Sequence, residues 1–180
     1  MSVAYYVAAA AVVAQASQVA DDVRARDGTA VFFNLCGSTV AGAETAIDPA
    51  RFKFTQLGPD TVAKIRPMSK GQKFWDVHGL QSDLHALVHI ETNGVCAVEI
   101  VEASEPATRA DFADELHAFA AKLGGTLQPQ PDSVKSVEGK PMTASQWRLT
   151  TPSRSFLVGL KTYPDSRFMT QHIMMLTETR

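Results

Sequence analysis

The sharpest alternation of apolar and polar side chains in the chain runs from His85 to Ile100, HALVHIETNGVCAVEI. Asn93-Gly94 marks a turn inside it. A two-residue turn would pair Cys96 with Glu91 and His89 with Val98, mixing polar and apolar side chains on both faces. A three-residue loop, Thr92-Asn93-Gly94 with Gly94 in the left-handed conformation, instead pairs Ile90 with Cys96, Val88 with Val98 and Ala86 with Ile100. That register makes one face wholly apolar. The opposite face then carries His85, Leu87, His89 and Glu91 on one strand, and Val95, Ala97, Glu99 and Val101 on the other.

Upstream, KFWDVHG (Lys73 to Gly79) reads as a strand with Phe74 and Trp75 on opposite faces. Downstream the period changes to that of a helix. In TRADFADELHAFAAKLGG, Phe112, Leu116, Phe119 and Leu123 form an apolar stripe, Thr108 and Asp111 resemble a capping box, and Gly124 ends the helix. Residues 125 to 141, with three prolines, read as a connector ending in a turn at Gly139-Lys140-Pro141. Three strands follow, roughly Thr143 to Thr150, Ser155 to Tyr163 and Phe168 to Glu178.

Two helices are predicted earlier. From Asp27, DGTAVFFNLCGS sets Thr29, Phe33 and Cys36 on one face, with Gly37 as the stop. A second, shorter helix starts with Asp48 as its cap and Pro49 in its first turn, packs Phe54 and Leu57, and stops at Gly58. Strands and helices do not alternate regularly. The expectation is therefore a single α+β domain with an antiparallel sheet of about five to six strands and two to three helices on one face.

Composition narrows the function classes. With 180 residues, 45% of them hydrophobic, the chain suits one domain with a real core. A net charge of -2 and singly scattered basic residues give no footprint for nucleic acid. The first 20 residues lack any charged side chain, and the apolar run Val3 to Ala14 leads into Ala14-Gln15-Ala16, an A-x-A cleavage pattern. This reads as a signal peptide over 1–16, with the domain over 17–180 and a periplasmic or secreted location. No basic residue precedes the apolar run, unlike the usual signal. If the N-terminal helix is retained instead, the chain is cytoplasmic.

In an exported chain, two cysteines have one pairing, Cys36 with Cys96; in a cytoplasmic one they would be buried thiols. Cys36 lacks the flanking small residues and apolar run of a lipid-attachment site.

No nucleophile elbow, S-x-x-K, C-x-x-C or phosphate-binding loop occurs. The residues that merit weighing as catalytic candidates are His78, His85, His89 and Glu99. His85 and His89 share a strand face about 13 Å apart, too far for one ion, so no metal or cofactor is expected from that pair. Glu99 lies diagonal to both histidines. His78 could approach the same face from a neighbouring strand, with Asp76 two residues away as a hydrogen-bond partner. His117 reads as solvent-facing and His172 as packed. Met169, Met174 and Met175 give the last strand soft apolar surface on both faces, suited to burial, to a partner or to a second subunit.

Phe32 and Cys36 in the first helix, with Gly94, Cys96 and Val98 in the hairpin, resemble a set of small exported proteobacterial proteins of unknown function. That set pairs an early helical Phe-x-x-x-Cys with a Gly-x-Cys-x-Val strand. The resemblance covers roughly the first hundred residues. It implies a disulfide-tied periplasmic domain and transfers no catalytic residues. The functional expectation is a non-catalytic binding protein of the cell envelope, its partner a protein or small molecule. The alternative is a metal-dependent or acid/base hydrolase built on the polar face of the hairpin.

Overall fold

The computed structural model describes residues 22–41, 47–67, 69, 72–164 and 170–179. The predicted leader, Phe168 and Met169 lie outside them. Helix α1 occupies 22–41, and its Phe33–Gly37 segment is wound as a π-type turn. The other helices are α2 (Pro59–Ile65) and α3 (Glu105–Lys122). The strands are β1 (Phe52–Gln56), β2 (Lys73–Gly79), β3 (His85–Ile90), β4 (Cys96–Ile100), β5 (Thr126–Pro129), β6 (Ser133–Val137), β7 (Lys140–Thr150), β8 (Ser155–Thr162) and β9 (His172–Thr179).

The α+β class and the antiparallel pairing hold. The sheet is wider than the expected five to six strands, with nine in the order β1-β2-β3-β4-β9-β8-β7-β5, and β6 also pairs with β7. The extra strands lie at the two margins. At one margin, Asp48 caps a single turn through its carboxylate, which accepts from Ala50 N at 2.9 Å, and the chain then extends instead of entering a helix. Phe52 and Phe54 alternate in the segment FKFTQ, and pairing with β2 lets Phe52 bury fully. That gain outweighs the helical spacing of Phe54 and Leu57. Gly58 consequently begins a helix, α2, rather than ending one.

At the other margin the expected connector supplies β5 and β6, which pair with the two ends of the long strand β7. β6 is solvated on both faces, with Val134 71% exposed, so no apolar alternation betrays it. Glu138 and Gly139 both adopt positive φ, as the tight turn between β6 and β7 requires.

The hairpin register is the one derived from the three-residue loop, with Ile90 opposite Cys96, Val88 opposite Val98 and Ala86 opposite Ile100. Gly94 has φ +88, and Glu91 N donates to Val95 O at 2.8 Å to close the loop. β9 lies between β4 and β8, so both of its backbone edges are occupied. It therefore has no free edge for strand pairing with a second subunit.

The apolar face of the sheet packs on α1 and α3. Ala25, Thr29, Phe32 and Cys36 recur at helical spacing on the buried side of α1, and Phe112, Leu116 and Ala120 do the same on α3. Phe32, Phe33, Phe112 and Trp147 join the layers, with ring centroids 4.9 to 5.6 Å apart along the series. Gly37 does not stop α1, which continues through the π-type turn. A Cβ there would lie 2.9 Å from the Phe119 ring, so glycine serves close helix approach. Similarly, Thr108 is buried within α3, whose cap is Ser104, one turn earlier.

Cys36 and Cys96 form a disulfide with their Cα atoms 5.5 Å apart, tying α1 to β4 across the core. No helix among the described residues is long and apolar enough to cross a membrane. Arg66, just past the end of α2, reaches the polar face of the sheet.

Candidate functional site

Strand alternation brings Phe74, Asp76 and His78 of β2, His85, Leu87 and His89 of β3, and Ala97 and Glu99 of β4 to that second face. The register places His78 opposite His85, Phe74 opposite His89, and Leu87 between Asp76 and Glu99. The four candidates separate into two groups, with Leu87 between His85 and His89 along β3.

In the first group Asp76 holds both histidines. Its Oδ2 lies 3.0 Å from His78 Nε2 and its Oδ1 2.9 Å from His85 Nε2, so each imidazole in its Nε2–H tautomer donates to one carboxylate oxygen. The two rings stack at 4.7 Å, 12° from parallel. His78 and His85 are about half exposed, and Asp76 is less so. The Asp76–His78 pair follows from spacing along one strand. The His85 contact depends on the neighbouring strand being β3 and could not be assigned without sheet order.

The second group is buried. Glu99 is 6% exposed and meets three donors: the Arg66 guanidinium, Thr170 Oγ1 at 2.9 Å, and His89 Nε2 at 3.2 Å. Burial drives the Glu99 carboxyl toward its neutral form. The hydrogen bonds from His89 and Thr170, with the positive charge of Arg66, outweigh that and hold its pKa below the ordinary carboxylate value. Phe74 is itself buried and stacks on His89 at 5.0 Å. His89 Nδ1 is buried without a hydrogen-bond partner. A carboxylate held ionised by three donors is a poor proton acceptor, and this group suits anchoring the segment after α2 to the sheet better than acid/base work.

Compared with known protein families, curated proteins and solved structures, the chain gives no match. The site must be read from its own chemistry.

Arg66 and Thr170 were not legible as members of the site. Arg66 lies in no strand, and Thr170, expected within the last strand, precedes β9 and turns its hydroxyl to Glu99; both come from segments distant in sequence. Beside Arg66 a hollow of about 410 Å³ is lined by Pro59, Val62, Ala63, Arg66, Pro67 and Gln72. Past Glu99 the same sheet face becomes apolar. Ile173, Met175 and Leu157 are half-buried there, and a Cβ on Gly159 would touch Met175 Cε at 3.4 Å. Their inward neighbours Met174 and Leu176 are fully buried. His172 is also inward and buried, its Nε2–H donating to Ala103 O at 3.0 Å, and His117 is exposed, as each was read.

Proposed function

We propose that the chain is an exported, disulfide-tied interaction protein of the cell envelope that holds a protein or small-molecule partner without chemical turnover. The observation that carries this reading is the half-buried apolar strip Ile173, Met175 and Leu157 on the polar-rimmed sheet face. Methionine and leucine side chains in such a strip adapt to a partner surface, and the rim supplies orientation. The Cys36–Cys96 bridge supports the envelope location, because disulfides persist in oxidising compartments. The reading also agrees with the resemblance to small exported proteins.

The hydrolase alternative needs His78, His85, His89 and Glu99 to act at one point. Their division between an Asp76 group and an Arg66–Thr170 group favours the binding reading, as does the fully engaged Glu99 carboxylate.

Site-specific photocross-linking in intact cells tests the proposal. A photoreactive residue at position 157 or 175 is expected to give one discrete adduct, absent when the same residue replaces exposed His117. No adduct from the sheet face, or an equal pattern from position 117, would contradict it. An adduct of twice the chain mass would identify the partner as a second copy.

A further inference from the structure

We propose that Asp76, His78 and His85 form a binding site for one divalent transition-metal ion of the zinc class. This goes beyond the partner-binding reading and stands independently of it. One ligand atom from each of the three side chains can be chosen so that all lie within 4.8 Å of one another, the only such group among the described residues.

The backbone fixes this grouping. His78 and His85 are direct cross-strand partners on β2 and β3, and Asp76 lies two residues along β2 on the same face. Their Cα positions are therefore set by a paired sheet rather than by a loop, which limits the ordering cost of gathering three ligands.

The donor set selects the ion. Two imidazole nitrogens and one carboxylate oxygen suit zinc, copper or nickel and disfavour magnesium and calcium, which take oxygen shells. Around tetrahedral zinc, bonds of about 2.0–2.1 Å place ligand atoms roughly 3.3 Å apart. The Asp76 oxygens already lie 2.9 and 3.0 Å from the two Nε2 atoms. The required adjustment is in the rings. They are nearly parallel, and each must turn for its in-plane lone pair to meet a common point. Side-chain exposures of 48% and 52% leave both rings free to turn. In the ion-free form each Nε2–H is held by Asp76; to bind the ion each neutral ring passes to its Nδ1–H tautomer by proton exchange with solvent, so that Nε2 presents its lone pair, and solvent can occupy the remaining coordination position.

Lys53 opposes the ion. It is the cross-strand neighbour of His78 on β1 and rises from the same face. The cysteines do not compete for metal, since both are in the disulfide.

The test is titration calorimetry of the full, oxidised chain with zinc chloride, using wild type, H78A, H85A, D76N and the off-site control H117A. Wild type and H117A are expected to bind one ion saturably. H78A and H85A should each weaken binding by about 10- to 100-fold, at least the loss seen when a supporting partner of a ligand is removed. Absence of saturable uptake by the wild type, or undiminished uptake by the H78A/H85A double variant, would overturn the site. Far-UV circular dichroism separates ligand loss from unfolding. If the variants unfold, zinc-edge X-ray absorption on the wild type decides: two imidazoles in the shell support the site, and none overturns it.

Discussion

Arg66, just past the end of α2, ion-pairs with Glu99 in the middle of the sheet, joining two residues 33 positions apart in sequence. Glu99 is almost wholly buried, whereas Arg66 remains 44% exposed. The pair therefore matters chiefly through what its loss would leave behind, a buried carboxylate short of one donor. Replacing Arg66 with Ala should lower stability by about 1–3 kcal/mol near neutral pH. Because the folded pKa of Glu99 is depressed, its favourable contribution is present above the ordinary value of 4.5 and is lost as pH falls through the folded pKa. The deficit of R66A should therefore shrink on acidification below 4.5. Urea unfolding of the two proteins across that range checks this, and a deficit that does not change with pH would show that the charge pairing is not its source.

The disulfide closes a loop with a sequence separation of 60. Loop-closure entropy for that length predicts a loss of about 4 kcal/mol in a C36A/C96A variant, measured by chemical denaturation against the oxidised wild type. The alternation on β4 and the helical spacing on α1 direct both cysteines into the same core. Oxidation should consequently add stability while leaving the far-UV spectrum unchanged.

His172 makes a second pH-dependent contribution. Burial outweighs its hydrogen bond to Ala103 and the attraction of Glu105, and lowers its pKa below the ordinary 6.5. The folded protein thus holds His172 neutral while the unfolded chain takes up a proton below that value. Its contribution is complete above 6.5 and is lost progressively as pH falls toward the folded pKa, at up to about 1.4 kcal/mol per pH unit for one proton. H172Q replaces the titrating ring with a non-titrating donor and should flatten the stability profile below pH 6.5. An unchanged slope in H172Q would place the acid sensitivity elsewhere.

The β3–β4 register was readable because only one loop length puts Ala86, Val88, Ile90, Cys96, Val98 and Ile100 on a common apolar face. β2 and β8 were readable as runs of strand-forming residues, β8 bounded by turn residues on both sides. β6 was not, since a strand wet on both faces has no apolar period, and β1 was lost because Asp48-Pro49 signals a helix start as strongly as a turn. Within the site, local spacing gave the Asp76–His78 pair, and the hairpin register gave the Glu99 diagonal to His89. The contacts of His85 with Asp76 and of Arg66 and Thr170 with Glu99 are non-local. They arise from the order of strands in the sheet and the path of the chain after α2, which one sequence does not encode in any short pattern.

The central claim, an exported and disulfide-tied interaction protein, is tested most directly by the intact mass of the natively expressed protein with and without reductant and thiol alkylation. The account predicts a chain lacking residues 1–16 whose two cysteines resist alkylation until reduced. A chain that retains those residues and carries two freely alkylated thiols would contradict it.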